Sequence, residues 1–459
     1  MKKQRLFDRA FFREMLPLAI PIALQNLLMA SFRLVDTLMI GQLGDTSIAA
    51  VGLAGNISFL IELIAFGMAS GSAVFIAQYY GAKNEDGIHR AFGASFVSIV
   101  PFGIIISILV AFSPSFFMTL LTDSPDMIAE GSRYLSTAAF SYAGLMITQQ
   151  FCTTLRSTER VKLPMIATSI SAAMNAVLNY IFIFGKLGFA AMGVMGAGLA
   201  TSICSFISPL IIFGVSLVQK NVLIRCFGGI LRLKGFFTMF WKRALPVLSN
   251  ELLWSLSIVF INMVFGRMGD DNYAALTIFR TVENIAFVFF VGVCNSCNIL
   301  VGKRIGAGNF DGGKRIAKQF MALTPIMGLI VGAVVILLRV PIVNLFESTE
   351  ATKHTAQMLL IMYGIEIGVR NIPYISVVGI FRAGGDTRIG LIGDVVTNYG
   401  LLVPLVAVCG LVFKLPFLWT YLLMICVDDL AKCIIYLPHF RSNKWIKPVA
   451  DMGRTAELQ

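Results

Sequence analysis

Long apolar runs separated by short polar or Gly- and Pro-containing breaks recur along the whole chain. A helix needs about 20 apolar residues to cross the hydrocarbon core of a bilayer, and the chain supplies such runs repeatedly. We place the predicted spans at residues 15–40, 48–80, 91–120, 131–156, 161–185, 191–219, 240–268, 272–303, 315–338, 355–382, 388–412 and 415–440. This pattern predicts an all-α integral membrane protein with twelve transmembrane helices in the lipid bilayer.

The composition and the placement of charge agree with this prediction. The 459 residues are 57% hydrophobic and 14% charged, whereas soluble domains carry about 25% charged residues. The net charge of +12 does not indicate a nucleic-acid partner, because the Lys and Arg residues are concentrated in alternate segments between spans. If those segments face the cytoplasm, the positive-inside rule is satisfied and both termini are cytoplasmic. We expect a multi-pass protein of the cell membrane, either a plasma membrane or a bacterial inner membrane.

Few residues have the spacing of a metal or catalytic site. Cys294 and Cys297 form a CxxC pair inside an apolar run, but no second cysteine pair accompanies it and the chain has only 3 His. We interpret the cysteines as small packing residues. The sequence therefore predicts no metal site, no cofactor and no enzymatic activity.

An internal duplication is visible at an offset of 225 residues. The segment GAKNEDGIHR, residues 81–90, aligns with GAGNFDGGKR, residues 306–315, at six identical positions, and Pro21 aligns with Pro246. This repeat predicts an N-terminal half at residues 1–219, a basic cytoplasmic linker at 220–240 and a C-terminal half at 241–459. Two six-helix bundles in the same orientation are expected to be related by a pseudo-two-fold axis along the membrane normal. Such repeats are typical of secondary transporters that work by alternating access.

Several motifs resemble the multidrug and toxic compound extrusion (MATE) family. The first predicted span has Pro21 followed by the segment DTLMIGQLG, which begins at Asp36, and then by AAVG, residues 49–52. The second span ends in AQYYGA, residues 77–82. Further similar elements are LRS at residues 155–157, GAGLAT at 196–201 and FRAGGDT at 381–387. The resemblance covers nearly the whole chain in order.

The resemblance implies a coupling site in the N-terminal half. The family's proton-coupling aspartate matches Asp36, with partners that match Asn175, Asn179 and Thr201, and Pro21 is expected to act as a hinge. A charged group in the middle of a bilayer costs about 2.5–3.5 kcal/mol to insert. This cost favours a function for Asp36, such as the proton coupling that the resemblance implies. Two alternatives remain: Asp36 braces its helix, or Arg33, one turn earlier, neutralises it.

The C-terminal half also has charged residues inside predicted spans. Glu251 follows Pro246 and matches the glutamate that some sodium-coupled members use, but Asn371 stands where those members carry an aspartate. Glu366 and Arg370 are four residues apart and predict a buried ion pair. We expect Glu251, Glu366 and Arg370 to form a cation- or substrate-binding site, which also includes Arg280, Glu283 and Asp394.

The resemblance implies a secondary antiporter. It would export hydrophobic, often cationic, small molecules in exchange for protons or sodium ions, as a monomer and without a cofactor. The alternative from the same superfamily is a flippase for lipids or lipid-linked glycans. Such a protein would need a strongly cationic cavity, whereas the intramembrane basic residues here are interspersed with acidic ones.

Overall fold

The computed structural model describes residues 7–231, 233, 235–346 and 348–449, apart from the side chains of Asp45 and Asp270. Several basic residues used in the charge argument, Lys2, Lys3, Arg5, Arg232, Lys234 and Arg454, lie outside the described residues. Within the described ranges the chain is helical throughout, and its β-structure is limited to an isolated bridge between Gly385 and Ile446. The all-α prediction is therefore confirmed.

The helices follow one another with short connections. Those of the first part are α1 (Arg9–Gly41), α2 (Asp45–Gly81), α3 (Glu85–Phe112), α4 (Pro114–Thr119), α5 (Pro125–Ala138), α6 (Ser141–Ser157), α7 (Lys162–Phe184), α8 (Val194–Val218) and α9 (Val222–Cys226), which continues into a 3₁₀ turn at Phe227–Leu231. Those of the second part are α10 (Phe236–Gly266), α11 (Asp270–Gly306), α12 (Phe310–Val343), α13 (Glu350–Tyr374), α14 (Arg382–Gly384), α15 (Arg388–Asp394), α16 (Val403–Ala407) and α17 (Phe417–Arg441). Three π-helical segments, Ile375–Phe381, Val395–Leu402 and Val408–Val412, join α13 to α14 and interrupt the span that begins with α15.

Ten helical segments in the described part of the chain are long and apolar enough to cross a bilayer. The two remaining predicted spans, the fourth and the twelfth, correspond to helices that are interrupted or that carry several charged residues. The fourth is divided into α5 and α6 by a turn at residues 139–140, and α6 has only 17 residues. The twelfth is the 25-residue α17, which carries Asp428, Asp429 and Lys432 in its centre. The chain is thus a multi-pass helical membrane protein.

The chain forms two compact units. Among the described residues, one contains those up to Ala23, Gly81–Lys83 and those from Ser249 onwards, and the other contains Leu24–Tyr80 and Asn84–Leu248. In the first helix of each repeat, the change from one unit to the other comes two residues after a proline, Pro21 in α1 and Pro246 in α10. A proline removes a helical hydrogen bond and lets a helix bend, so both positions suit a hinge. The hinge role of Pro21 and the division into residues 1–219, 220–240 and 241–459 stay predictions.

The two copies of the internal repeat start their helices with the same kind of N-cap. The side chain of Asn84 accepts a hydrogen bond from the backbone amide of Gly87 at 2.8 Å at the start of α3. Asn309 accepts from the amide of Gly312 at 2.9 Å at the start of α12. A side-chain oxygen at this position satisfies one of the amides that a helix leaves unbonded at its N-terminus. The duplicated segment thus contains the N-cap of a membrane-spanning helix in each half.

Close packing of α12 against α13 depends on glycine. A Cβ atom on Gly332 would overlap the carbonyl oxygen of Gly364, and one on Gly328 would overlap the backbone of Gly368. Small residues at such positions let two helix backbones approach closely, which is the main source of helix association inside a membrane. The four glycines therefore fix the position of α13, which carries Glu366 and Arg370.

We expect Gly332→Ala to destabilise the protein, because the added methyl group would force α12 and α13 apart. The matched control is Gly214→Ala in α8, where a Cβ atom would contact nothing within 4 Å. Alanine favours a helix over glycine by about 1 kcal/mol, so this variant should be neutral or slightly stabilised. Thermal unfolding of the purified proteins in detergent measures both effects. Equal melting temperatures for the two variants would contradict the packing argument.

Candidate functional site

The first group of polar side chains in the membrane surrounds Asp36. Asn179 donates a hydrogen bond to Oδ1 of Asp36 at 2.7 Å. With its amide nitrogen facing Asp36, Asn175 donates to both carboxylate oxygens at 3.0 Å, and its oxygen accepts from the backbone amide of Thr201 at 3.2 Å. The hydroxyl of Thr201 donates to Ala197 in its own helix. The structure thus brings together the four predicted residues, which we call the Asp36 cluster, with Thr201 contributing its backbone.

The helices explain why these side chains meet. Asn175 and Asn179 are one turn apart on α7, so both face α1 from the same side. Both asparagines are buried, with exposed fractions of 8% and 1%, whereas Asp36 is only partly buried. Uncharged amide donors stabilise a carboxylate without neutralising it. Asp36 is consequently a partly exposed carboxyl group held by two buried amide side chains.

Arg33 makes its ion pair with a residue that the sequence analysis did not single out. Its Nη2 lies 2.9 Å from Oε2 and 3.0 Å from Oε1 of Glu62, which is on α2. The ion pair of Arg33 is thus with Glu62, and both alternatives for Asp36 stay predictions. Arg33 and Glu62 are both partly exposed, and charged residues in membrane spans usually face a water-filled cavity or the interior of a bundle.

A second group, which we call the Arg382 cluster, lies in the other unit. Nη2 of Arg382 is 2.6 Å from Oε1 of Glu251 and donates to Oδ1 of Asn250 at 2.9 Å. Asn250 donates to Oδ2 of Asp394 at 2.6 Å, and the hydroxyl of Tyr436 donates to Oδ1 of Asp394 at 3.1 Å. Arg382 is 2% exposed and Glu251 is 9% exposed. Glu251 is therefore a buried carboxylate whose charge is balanced by a buried guanidinium.

The backbone around the Arg382 cluster departs from the α-helix. Arg382 directly follows the π-helical segment Ile375–Phe381, and Asp394 directly precedes the segment Val395–Leu402. Such segments occur frequently at functional sites, because the added residue re-aims the side chains next to it. Sequence periodicity of 3.6 residues could not have predicted the direction of either side chain.

A third group, the Arg370 cluster, consists of Arg370, Glu283 and Glu366. Nη2 of Arg370 lies 2.5 Å from Oε1 of Glu283, and its Nε lies 4.0 Å from Oε1 of Glu366. Its guanidinium also lies over the ring of Tyr363, 5.5 Å from the ring centre. The predicted pairing of Glu366 with Arg370 is thus the longer of two contacts.

The structure separates residues that the sequence analysis had grouped in one C-terminal site. Asp394 contacts Asn250 and Tyr436, whereas Glu283 and Glu366 surround Arg370. Arg280 lies one turn from Glu283 on α11 and is partly buried. Asn371, which stands at the position of the sodium-site aspartate, donates to the carbonyl of Ile367 in its own helix at 2.7 Å.

Sequence reasoning missed a repeated arginine contact. Nη2 of Arg156 donates to Oε1 of Gln25 at 2.6 Å, as Arg382 does to Asn250 in the other unit. Gln25 and Asn250 are 225 residues apart, and both lie four residues after a proline. The offset of the duplication could therefore have identified them as equivalent positions. The next residue differs between the repeats, Asn26 in one and Glu251 in the other. Only the second repeat thus places a carboxylate at this position.

The motif that contains Arg382 also contains Asp386, whose salt bridges join two parts of the chain. Asp386 is buried and lies 3.0 Å from Nε2 of His439 and 2.8 Å from Nζ of Lys447. Gly385 has φ of +92°, a conformation that L side chains rarely adopt. These contacts hold the end of α17 and the segment after it against the turn that follows Arg382.

The CxxC pair lies in the apolar interior. Cys294 and Cys297 are both fully buried on α11, as expected for packing residues. Within the described ranges, no group of three or more His, Cys, Asp or Glu residues is arranged to hold a metal ion.

A multi-pass helical chain with repeated halves, in which a few clusters of charged side chains lie inside the membrane spans, has the features of a membrane transporter. The sequence profile of the MatE family matches residues 21–181 and 246–408, a part of each half. The chain therefore belongs to the MatE family, and the resemblance seen in the motifs is confirmed.

Relatives and solved structures agree with this membership. The probable multidrug resistance protein NorM of Thermotoga maritima is 24% identical over 455 residues, which are 97% of this chain and 96% of the relative. The crystal structure of a MATE in complex with MaL6 has a TM-score of 0.83 at 19% identity, covering 95% of this chain and 98% of that one. The eukaryotic MATE transporter AtDTX14 also has a TM-score of 0.83, at 16% identity, covering 97% of this chain and 98% of that one.

Proposed function

We propose that the protein exports hydrophobic, often cationic, small molecules in exchange for protons, as a monomeric antiporter that works by alternating access. Membership of the MatE family and the names of relatives such as the probable multidrug resistance protein NorM support export of several compounds. The apolar helices support a membrane carrier, and the concentration of Lys and Arg in alternate segments supports a location in the cell membrane with both termini in the cytoplasm. Sodium ions are the alternative coupling ion.

The observation that carries this proposal is the set of contacts around Asp36. Asn175 and Asn179 supply amide donors, and Arg33 is engaged by Glu62. An ionised carboxylate in this environment is hydrogen-bonded but retains its negative charge. Asp36 thus has the geometry of a reversible ion-binding group, whereas Glu251 and Glu283 are ion-paired.

The proposed cycle follows from the change of charge at Asp36. A proton from outside binds to the carboxylate and gives a neutral acid, and this weakens the three hydrogen bonds from Asn175 and Asn179. The proline at position 21 lets α1 bend in response, and the outward-facing state releases the exported compound. After the return to the inward-facing state, the proton leaves for the cytoplasm, the carboxylate regains its amide partners, and the next compound binds.

The membrane potential supplies enough free energy for this exchange. One elementary charge that moves inward through 100 mV releases about 2.3 kcal/mol. At about 1.4 kcal/mol for each factor of ten, this supports a concentration ratio of roughly fifty for an uncharged compound. If the exported compound is a monovalent cation and one proton enters, the electrical terms cancel and the pH difference alone drives export.

Dye efflux from proteoliposomes tests the proposed function. We expect a cationic fluorescent dye to leave vesicles that contain the protein when the outside is made acidic, and we expect a protonophore to stop this efflux. A sodium gradient imposed at equal pH identifies the alternative ion. Protein-free vesicles give the background rate. If neither gradient moves any dye above this rate, the export proposal fails, and lipid flipping becomes the activity to measure.

A further inference from the structure

The ion pair between Arg33 and Glu62 is open to solvent, although both residues lie inside predicted membrane spans. Glu62 is near the middle of the 37-residue α2, and Arg33 is in the last third of α1. The exposed fractions of the Arg33 and Glu62 side chains are 63% and 33%, whereas Arg382 and Glu251 are buried. Charged groups inside a membrane span almost always face water-filled space or a bundle interior. The exposed side of the Arg33–Glu62 pair therefore faces water and not lipid.

The contact between Arg33 and Glu62 is one that another cation could replace. Both carboxylate oxygens of Glu62 accept hydrogen bonds from the same nitrogen, Nη2 of Arg33, at 3.0 and 2.9 Å. The strongest arginine–carboxylate pairs use two guanidinium nitrogens in parallel. Water also screens an exposed ion pair and would solvate the guanidinium once it left. Glu62 can therefore exchange Arg33 for a cation from solution without leaving a buried charge unpaired.

The surface of α2 beside Glu62 suits an aromatic or apolar cation. Phe59, Gly55 and Gly52 precede Glu62 by three, seven and ten residues and therefore share one side of α2. The side chain of Phe59 is 51% exposed. A Cβ atom on either glycine would contact nothing within 4 Å, so there is free space beside the backbone. An aromatic ring attracts cations, as a carboxylate does, and also offers apolar contact.

The polar groups near Glu62 already have partners of their own. Ser58, one turn earlier on α2, shares a hydrogen bond of 3.1 Å with the hydroxyl of Tyr142 on α6. Asp36, three residues after Arg33, is held by the asparagines of α7. Among the described residues, Arg33 is the one basic side chain within ion-pair distance of Glu62. A cation that reaches Glu62 thus competes with Arg33 alone.

We propose that Glu62 selects exported compounds by charge: a hydrophobic monovalent cation takes the place of Arg33 beside the carboxylate and lies against the ring of Phe59. This role depends on the proposed export function and names a residue that recognises the exported compound. Arg33 is then the counter-ion of the empty site. An uncharged compound cannot displace it, because such a compound brings no positive charge to Glu62. Removal of Glu62 and removal of Arg33 should therefore have opposite effects on the binding of a cation.

Equilibrium dialysis with the purified protein in detergent tests this role. The probes are tetraphenylphosphonium, a hydrophobic monovalent cation, and triphenylphosphine oxide, an uncharged compound that also carries phenyl groups on phosphorus. We expect Glu62→Gln to weaken the binding of tetraphenylphosphonium about tenfold. Arg33→Gln should tighten it about threefold, because this change removes the competing cation. The binding of triphenylphosphine oxide should stay within about twofold of the parent value in both variants.

Glu130→Gln is the matched control for these variants. Glu130 makes an ion pair with Arg133 at 3.2 Å on α5, and the exposed fractions of the two side chains are 28% and 66%. The Glu130 pair is thus about as exposed as the Arg33–Glu62 pair but lies on another helix. Both probes should bind to this variant as they do to the parent protein. Thermal unfolding checks that each variant is folded.

Two results would overturn the proposal. One is equal weakening of tetraphenylphosphonium binding by Glu62→Gln and Arg33→Gln, because an ion pair that only holds α1 against α2 is lost in either variant. The other is unchanged binding of this cation to folded Glu62→Gln. If Glu62→Gln does not fold, Arg33→Gln decides: tighter binding supports the proposal, and weaker or unchanged binding overturns it.

The dialysis result and the dye-efflux result can fail separately. Export by the parent protein without charge-selective binding at Glu62 would overturn this role and leave the proposed function in place. Charge-selective binding without any export by the parent protein would overturn the proposed function, while Glu62 would still bind the cation.

Discussion

Asp36→Asn abolishes proton-driven dye efflux in proteoliposomes, reducing it at least tenfold to the rate of protein-free vesicles. Asparagine has nearly the same shape as aspartate, but it cannot take up a proton at neutral pH. The variant therefore resembles a permanently neutral Asp36, and the hydrogen bonds from Asn175 and Asn179 lose their charged acceptor. Dye binding to the purified variant should persist, because the substitution removes the coupling step and not the protein's fold.

The control for this prediction is Asp126→Asn. Asp126 is an exposed residue in the first turn of α5, so the same chemical change there should leave efflux at the parent rate. Thermal unfolding of both variants in detergent excludes misfolding. If Asp36→Asn retains most of the proton-driven efflux while remaining folded, Asp36 does not couple transport to protons.

Arg382→Gln lowers the free energy of unfolding by about 3–5 kcal/mol, the range for removing one partner of a buried ion pair. The loss arises because Glu251 is left buried without its counter-charge, and because Asn250 loses a donor. The double variant Arg382→Gln/Glu251→Gln should regain most of the lost stability, since it leaves no unpaired charge. Unfolding of the detergent-solubilised proteins, followed by heat or denaturant, measures all three.

The internal repeat supplies a matched control for the Arg382 prediction. Arg156 makes the corresponding contact with the neutral Gln25, and in the described part of the chain it has no carboxylate within 4.0 Å. Arg156→Gln removes a hydrogen bond but leaves no carboxylate without its counter-charge. We therefore expect the free energy of unfolding to fall by about 0.5–1.5 kcal/mol, the usual net value of a hydrogen bond. If Arg156→Gln and Arg382→Gln cost the same, ion pairing does not explain the stability of the Arg382 cluster.

The fold was largely predictable from the sequence, because runs of about 20 apolar residues have few alternatives to membrane helices. The duplication was visible for a similar reason, since caps such as Asn84 and Asn309 are encoded by short local motifs. The division of the fourth span into α5 and α6 was not predicted. Its cause is a local turn at residues 139–140 that carries no proline or glycine signal.

The site was predictable in part. Asn175 and Asn179 share a helix face by spacing alone, and the structure places both against Asp36. The partner of Glu251 was not predictable, because Arg382 lies 131 residues further along the chain. Spacing within a helix also favoured Arg370 as the partner of Glu366, whereas the tertiary fold gives Arg370 a closer partner, Glu283, on another helix. Contacts within one helix follow from periodicity, but contacts between helices depend on packing.

The most direct test of the account is the movement of protons that accompanies export. Proteoliposomes that contain a pH indicator and a cationic compound are diluted into compound-free buffer at the same pH, and the internal pH is recorded as the compound leaves. We predict that the interior becomes more acidic in the parent protein as protons enter in exchange, and that this change is absent in Asp36→Asn. Loss of the compound from the parent vesicles at constant internal pH would contradict proton antiport.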